Sequence, residues 1–234
     1  METCQVLRRY KRFFADVEID GQVHVAHVPN TGSMKGTLDF PCRGLVSRSD
    51  DPKRKLAFTL EFLEFPDGHW VGVNTHKPNR WVENTLRSQM ARGEWDFDEL
   101  KREAAISAAT KFDFCLSRTG KVQKLWIEVK NVSMKIENSA AFPDAVTERG
   151  RKHLFELAKK CRDGDLAELW FVVQRSDCQS FVVADRIDPL YAEALSGALA
   201  AGVKMKIFTL NRELGSLNEQ ASLPFLGRES QISS

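Results

Sequence analysis

The chain has 234 residues, with 34 basic against 32 acidic side chains, a net charge of +2 and a pI near 8.3. Its 42 % hydrophobic and 28 % charged content suits one large or two small globular domains, and excludes a fibre or a disordered polymer. The first twenty residues, METCQVLRRYKRFFADVEID, hold no apolar leader segment, and no stretch is apolar for long enough to span a membrane as a helix. The expectation is therefore a cytoplasmic protein with no membrane partner. Five dispersed cysteines, Cys4, Cys42, Cys115, Cys161 and Cys178, form no CxxC pair and fit reduced thiols, the last three as small core residues.

In chain order, residues 1–78 read as short strands broken by turns. FFADVEI ends at Asp20-Gly21, a two-residue hairpin signal, and the alternating QVHVAHV follows. PNTGSMKG has the composition of a loop, after which GLVSRS, LAFTLEFLEF and HWVGVN read as three more strands, the last two joined at Asp67-Gly68. Five short strands in this length predict a small barrel of OB type, with an SH3-like barrel as the alternative.

Residues 79–218 change character. NRWVENTLRSQMARG places Trp81, Val82, Leu86 and Met90 at helical spacing, and FDELKREAAIS reads as a second short helix. KFDFCLS and LWIEVKNVSMKI read as a hairpin turned at Thr119-Gly120-Lys121. Residues 147–163 form the clearest helix, capped by Thr147 and stopped by Gly164. LAELWFVVQ is an apolar strand buried on both faces, DPLYAEALSGALAAG the last helix, and VKMKIFTL the last strand. This order predicts an α/β domain on a mixed sheet, giving a two-domain α+β chain. The tail, 219–234, is polar and is expected to fray.

The sharpest chemical pattern is Asp113, then Glu128 fifteen residues on, then Lys130. Strand alternation puts Glu128 and Lys130 on one face, with Ile127 and Val129 opposite, and sets Asp113 against both Phe112 and Phe114. Pairing through the turn brings Asp113 beside Glu128. Two adjacent carboxylates repel and so favour a bound cation, Mg²⁺ or Mn²⁺, beside which a lysine can hold a water or a phosphate oxygen. This is the D…(D/E)xK pattern of restriction-endonuclease-like nucleases, with Asp113, Glu128 and Lys130 as the catalytic set and Asp113 and Glu128 as metal ligands. Glu103, on the preceding segment, is a further candidate carboxylate. The competing reading is a solvated strand edge with a cross-strand ion pair.

RRYKRF, PNTGSM, SRSDDPKRKL, WVGVNTHKPN, EVKNV, FPDAVTERGRKHL and FVVQRSD, in that order from residue 7 to about 190, resemble stretches of the sugar fermentation stimulation proteins. The resemblance implies an N-terminal OB-like domain and a restriction-nuclease-like domain. It also implies DNA as partner and a regulatory role in sugar (maltose) metabolism. Asp113, Glu128 and Lys130 match the family's D…ExK positions. Whether such proteins cleave nucleic acid is not settled by the resemblance, so DNA binding and metal-dependent hydrolysis both stand. A third reading makes the metal structural in a regulatory module, although no helix-turn-helix signal is present.

Candidate phosphate contacts are Arg8, Arg9, Lys11 and Arg12 around Tyr10, the exposed run Lys53, Arg54 and Lys55, Lys35 in the glycine-rich loop, and Arg149 at the start of a helix. Each has a plain alternative, as a solvated strand, loop or helix face or, for the Lys35 loop, as a structural turn contacting the second domain. His153 shares a helix face with Arg149 but stands isolated, Asp144 offers one more carboxylate, and Gln174 and Arg175 end the long strand. No small-molecule cofactor is expected, and the oligomeric state is open, a dimer included.

Overall fold

The computed structural model describes residues 1–30, 34, 40–107, 110–211 and 216–232. The first strands are β1 (Glu2–Tyr10), β2 (Phe14–Ile19), β3 (Gln22–His27), β4 (Cys42–Arg48), β5 (Phe58–Glu64) and β6 (Trp70–Gly72). Asp20 and Gly21 both take positive φ, 51° and 76°, as a tight turn matched to strand twist requires. The order β3-β2-β1-β4-β5 closes on itself because β3 also pairs parallel with β5, Ala26 opposite Phe58 and His27 opposite Thr59. Closure removes both edges of the sheet and seals a core of Val6, Val17, Val28, Val46, Leu60 and Leu63. This is the OB-type barrel. Its fifth strand is β1, whereas HWVGVN supplies only the three-residue β6 beyond β5.

β6 joins the barrel to the rest. Val71 bridges Arg175, the Gly72 N–H donates to the Gln174 carbonyl at 2.6 Å, and Trp70 and Ser176 exchange bonds. A Cβ on Gly72 would lie 2.5 Å from Gln174 Oε1, so this close approach needs glycine.

The second domain continues with α1 (Lys77–Ala91), β7 (Glu99–Ala105), β8 (Lys111–Ser117), β9 (Leu125–Val132), β10 (Met134–Ile136), β11 (Ser139–Phe142), α2 (Glu148–Arg162), β12 (Leu166–Val173), β13 (Ser180–Val183), α3 (Pro189–Ala200) and β14 (Lys204–Asn211). β15 (Ser216–Ser222), β16 (Phe225–Arg228) and α4 (Glu229–Ile232) complete it. Its main sheet runs β15-β14-β12-β9-β8-β7, parallel in the centre and antiparallel at both margins. Trp81, Val82 and Leu86 of α1 cover one face, packing on Phe114, Ile127, Val129, Trp170 and Val172. Leu154 and Leu157 of α2, with Tyr191 and Leu195 of α3, cover the other, over Trp126, Leu169, Phe171 and Val173. β12 is buried on both faces, as its unbroken apolar run demands. Thr147 caps α2 by accepting from the Gly150 N–H, and Asp188 caps α3 by accepting from the Tyr191 N–H.

Three readings of the sequence are corrected. FDELKREAAIS is not helical: Glu99–Ala105 is β7, paired along β8 from Glu99 opposite Ser117 to Ala105 opposite Lys111. Leu100 and Ala104, four apart, fit a helix face and a strand face equally, and the need of β8 for a partner decides between them. LWIEVKNVSMKI is two strands, because β10 leaves the main sheet at Ser133 and pairs with β11 in a second sheet ordered β10-β11-β13-β16. The tail expected to fray from 219 onward instead completes β15, adds β16 parallel to β13 and ends in α4.

Candidate metal and nucleic-acid site

β8 and β9 pair as Leu116–Leu125, Cys115–Trp126 and Phe114–Ile127, and the ladder then ends. The next link is a side chain: Asp113 Oδ2 accepts from the Val129 N–H at 2.7 Å, and Asp113 Oδ1 accepts from Asn79 Nδ2 of α1 at 2.7 Å. The carboxylate thus sits where the two strands part. The local alternation slips as well, since Phe112 packs with Trp126 and His153 while Phe114 packs under α1, so the two phenylalanines do not share a face against Asp113.

Glu128 projects from β9 toward α2 and is only 4 % exposed. Its Oε1 accepts from Lys130 Nζ at 2.7 Å and also from His153 Nδ1 of α2. Lys130 Nζ lies 3.5 Å from His153 Nδ1, so both donors converge on one oxygen. Burial works against the charge on Glu128, but the Lys130 ammonium and the His153 contact outweigh it and hold this carboxyl below its ordinary range. Asp113 behaves oppositely. Burial, and then repulsion from Glu128, push it up to about 6 despite the Val129, Lys130 and Asn79 contacts. One carboxylate already has its countercharge and the other lacks one.

Sequence reasoning missed Asn79 and Tyr191, and left His153 as an isolated residue on the face of α2. Asn79 lies 34 residues from Asp113 along the chain, and His153 lies 25 from Glu128. Arg149 and His153 do not share an environment: His153 is buried at 4 % exposure, while Arg149 stands in solvent at the first turn of α2. The buried Tyr191 hydroxyl has no hydrogen-bond partner among the described residues, and the Tyr191 ring abuts Gly150, one turn before His153. Glu103 is exposed on β7 with a positive φ, and Asp144 is exposed beyond β11. Gln174 and Arg175 are buried at the domain junction, Arg175 clamping Asp177 and the Ser133 carbonyl.

The basic residues divide by environment. Arg9 is spent on the fold, donating to the Asn30 and Arg12 carbonyls at 2.9 and 3.0 Å. Arg8 pairs with Asp16 at 2.6 Å and lies over the Tyr10 ring. Lys11 and Arg12 form the exposed β1–β2 turn, both at positive φ. Lys53, Arg54 and Lys55 are exposed before β5, where Arg54 Nη2 donates to Thr59 Oγ1 at 2.8 Å. Lys35 lies outside the described residues. His27 is held below its ordinary pKa by burial first, then by the charges of Arg54 and His76. His76 is the N-cap of α1, and the same helix carries Asn79 to Asp113.

Residues 7–73 match the family description "SfsA N-terminal OB domain", and residues 76–215 match "Sugar fermentation stimulation protein RE domain". The chain belongs to the sugar fermentation stimulation protein family. Among family members, a homolog from Bdellovibrio bacteriovorus is 47 % identical over 214 residues, 88 % of each chain. One from Geobacter sulfurreducens is 43 % identical over 200 residues, 85 % of this chain and 84 % of its own. The fold is also that of a solved family structure, Pyrococcus furiosus SfsA in complex with Ca²⁺. It superposes with a TM-score of 0.80 at 24 % identity, over 96 % of this chain and 95 % of that one. No helix among the described residues is long and apolar enough to cross a membrane.

Proposed function

We propose that this chain binds DNA along the basic rim of its barrel and holds a divalent cation, Mg²⁺ or Mn²⁺, between Asp113 and Glu128. The observation that carries the reading is the pair of carboxylates from neighbouring strands, one short of countercharge, with Lys130 against the other. The donor set fits. Among the described residues no group of three or more His, Cys, Asp and Glu side chains gathers as a metal cage, but Mg²⁺ commonly takes one or two carboxylates and keeps its waters. The Pyrococcus furiosus relative is described in complex with Ca²⁺, which supports a divalent ion in this fold.

When bound, such an ion polarises a phosphoryl oxygen and acidifies a coordinated water. This chain's own residues supply the rest. Asn79 and the Val129 N–H hold the Asp113 carboxylate in one orientation. His153 fixes Glu128 Oε1, and Lys130 Nζ, part-buried in the same cluster, can hold a phosphate oxygen. Arg8, Lys11, Arg12, Lys53, Arg54 and Lys55 face solvent where a sugar–phosphate backbone can run, whatever its sequence.

A second reading, phosphodiester hydrolysis, is favoured by Lys130, which lies against the carboxylate pair rather than on the rim. End-labelled single- and double-stranded DNA with Mg²⁺, Mn²⁺ or EDTA, for wild type and Glu128→Gln, tests it. Cleavage that requires metal and vanishes in the variant establishes the nuclease, and Lys130→Ala should then lose cleavage while keeping binding. Binding without cleavage under every condition leaves the DNA-binding role alone. A flat plot of log affinity against log salt contradicts backbone binding itself.

A further inference from the structure

One residue beyond Lys130, the seam between the two domains encloses a cavity of about 270 Å³. The barrel side contributes Asn30 and Thr75, whose polar groups are engaged: the Asn30 carbonyl accepts from Arg9, and Thr75 Oγ1 donates to the Pro29 carbonyl at 2.7 Å. The other side contributes Asn131, Ser133, Phe142 and Asp144. There the polar groups are available.

The orientation of Asn131 follows from its neighbours. Gln174 Nε2 donates both to the Asn74 carbonyl at 3.4 Å and to Asn131 Oδ1 at 2.5 Å. A backbone carbonyl can only accept, which turns the amide end of Gln174 toward Asn74 and so the Asn131 Oδ1 toward Gln174, while the buried Gln174 Oε1 has no partner among the described residues. Asn131 Nδ2 is left as a donor with no partner among the described residues, at the cavity wall. The Asp144 carboxylate and the Ser133 hydroxyl make no hydrogen bond there either. Phe142 is backed by Phe171 and Tyr191, with ring centroids 5.5 and 5.2 Å away, which makes it a firm apolar wall.

We propose that this cavity receives an unstacked nucleobase of a strand whose backbone runs along the barrel rim. A planar ring against Phe142, with a donor from Asn131 and an acceptor from Asp144 at its edge, matches what every base offers: an apolar face and an edge with acceptor beside donor. Because all four bases carry that edge, the pocket takes a base without selecting its identity, and it requires a single strand or an opened end. This rests on the DNA-binding reading and adds to it the conformation of the substrate.

The test compares single-stranded oligodeoxycytidine with an oligonucleotide of equal length made wholly of abasic residues, by fluorescence anisotropy at pH 8. Wild type, Asn131→Leu and Asp144→Ala are titrated in parallel. The expected result is about tenfold tighter binding of the base-bearing strand by wild type, the worth of one stacked and hydrogen-bonded base. That ratio should fall toward one in both variants while the abasic strand binds as before. Asp144 is exposed, so its substitution leaves the fold intact and the test readable even where Asn131→Leu disturbs Gln174. A wild-type ratio near one, or a ratio unchanged in both variants, overturns the base pocket and leaves backbone binding standing. No binding of either strand overturns the pocket and the DNA-binding reading together.

Discussion

The barrel rim and the carboxylate cluster carry charge in opposite ways. On the rim, Lys11, Arg12, Lys53 and Lys55 stand in solvent, where a charge costs little and its removal is barely felt by the fold. At the cluster, Glu128 and His153 are almost fully buried and Lys130 is part-buried, and the Glu128 carboxylate keeps its charge because its neighbours compensate it. The lesson is that the rim can be rewritten without unfolding the protein, whereas the cluster is structural and functional together. Any loss of function there must be separated from loss of stability.

The largest effect that would break this contrast comes from Glu128→Leu. It strands a buried ammonium beside His153, and about 3 kcal/mol or more of unfolding free energy should disappear in a urea titration. Stability equal to wild type would mean that the cluster is solvated after all. Next is the junction that positions the two regions. Gly72→Val forces side-chain atoms onto Gln174, and overpacking of this kind costs about 1–3 kcal/mol. Thermal melts should show it, with Gly68→Val at an open turn as a comparison at positive φ.

Smaller effects sharpen the contrast. Tyr191→Phe removes a buried hydroxyl that has no partner among the described residues, so stability should stay level or rise by up to about 1 kcal/mol. A clear loss would reveal an occupant bonded to that oxygen. For Asp177, burial opposes the charge, but Arg175 and Lys135 outweigh it and hold the carboxyl well below its ordinary range. The folded pKa lies below the unfolded one, so this stabilisation is complete above about pH 4 and is lost as pH falls further. Asp177→Asn should flatten acid unfolding below that pH and leave the neutral side parallel. Last, changing Lys53, Arg54 and Lys55 together to alanine should shift stability by no more than about 1 kcal/mol, most of it the Arg54–Thr59 hydrogen bond. The same change should lower the slope of log affinity against log salt by up to about three, one for each phosphate that these side chains would neutralise.

Much of the architecture was legible because it is written locally. Asp20-Gly21, Thr147, Asp188-Pro189 and the unbroken LAELWFVV run each carry a short-range signal that survived folding. β7 was misread because Leu100 and Ala104 satisfy two periods at once, and only the edge of β8 separates them. The end of the chain was misread because polar sequence does not announce a strand that is held by pairing, as β16 is by β13. At the site, Glu128 and Lys130 on one face follow from strand alternation, but the seat of Asp113 does not. It depends on the end of a ladder and on Asn79 from another element. His153 was hidden for the same reason, since a lone histidine becomes a partner only when α2 is laid over β9.

The most direct test of the central claim is a Mn²⁺ titration of the purified full chain followed by electron paramagnetic resonance, for wild type, Asp113→Asn and Glu128→Gln. One ion should bind to wild type and be lost in both variants, with all three proteins folded by circular dichroism. Equal Mn²⁺ binding in all three, or none in wild type, would contradict a cation held between Asp113 and Glu128.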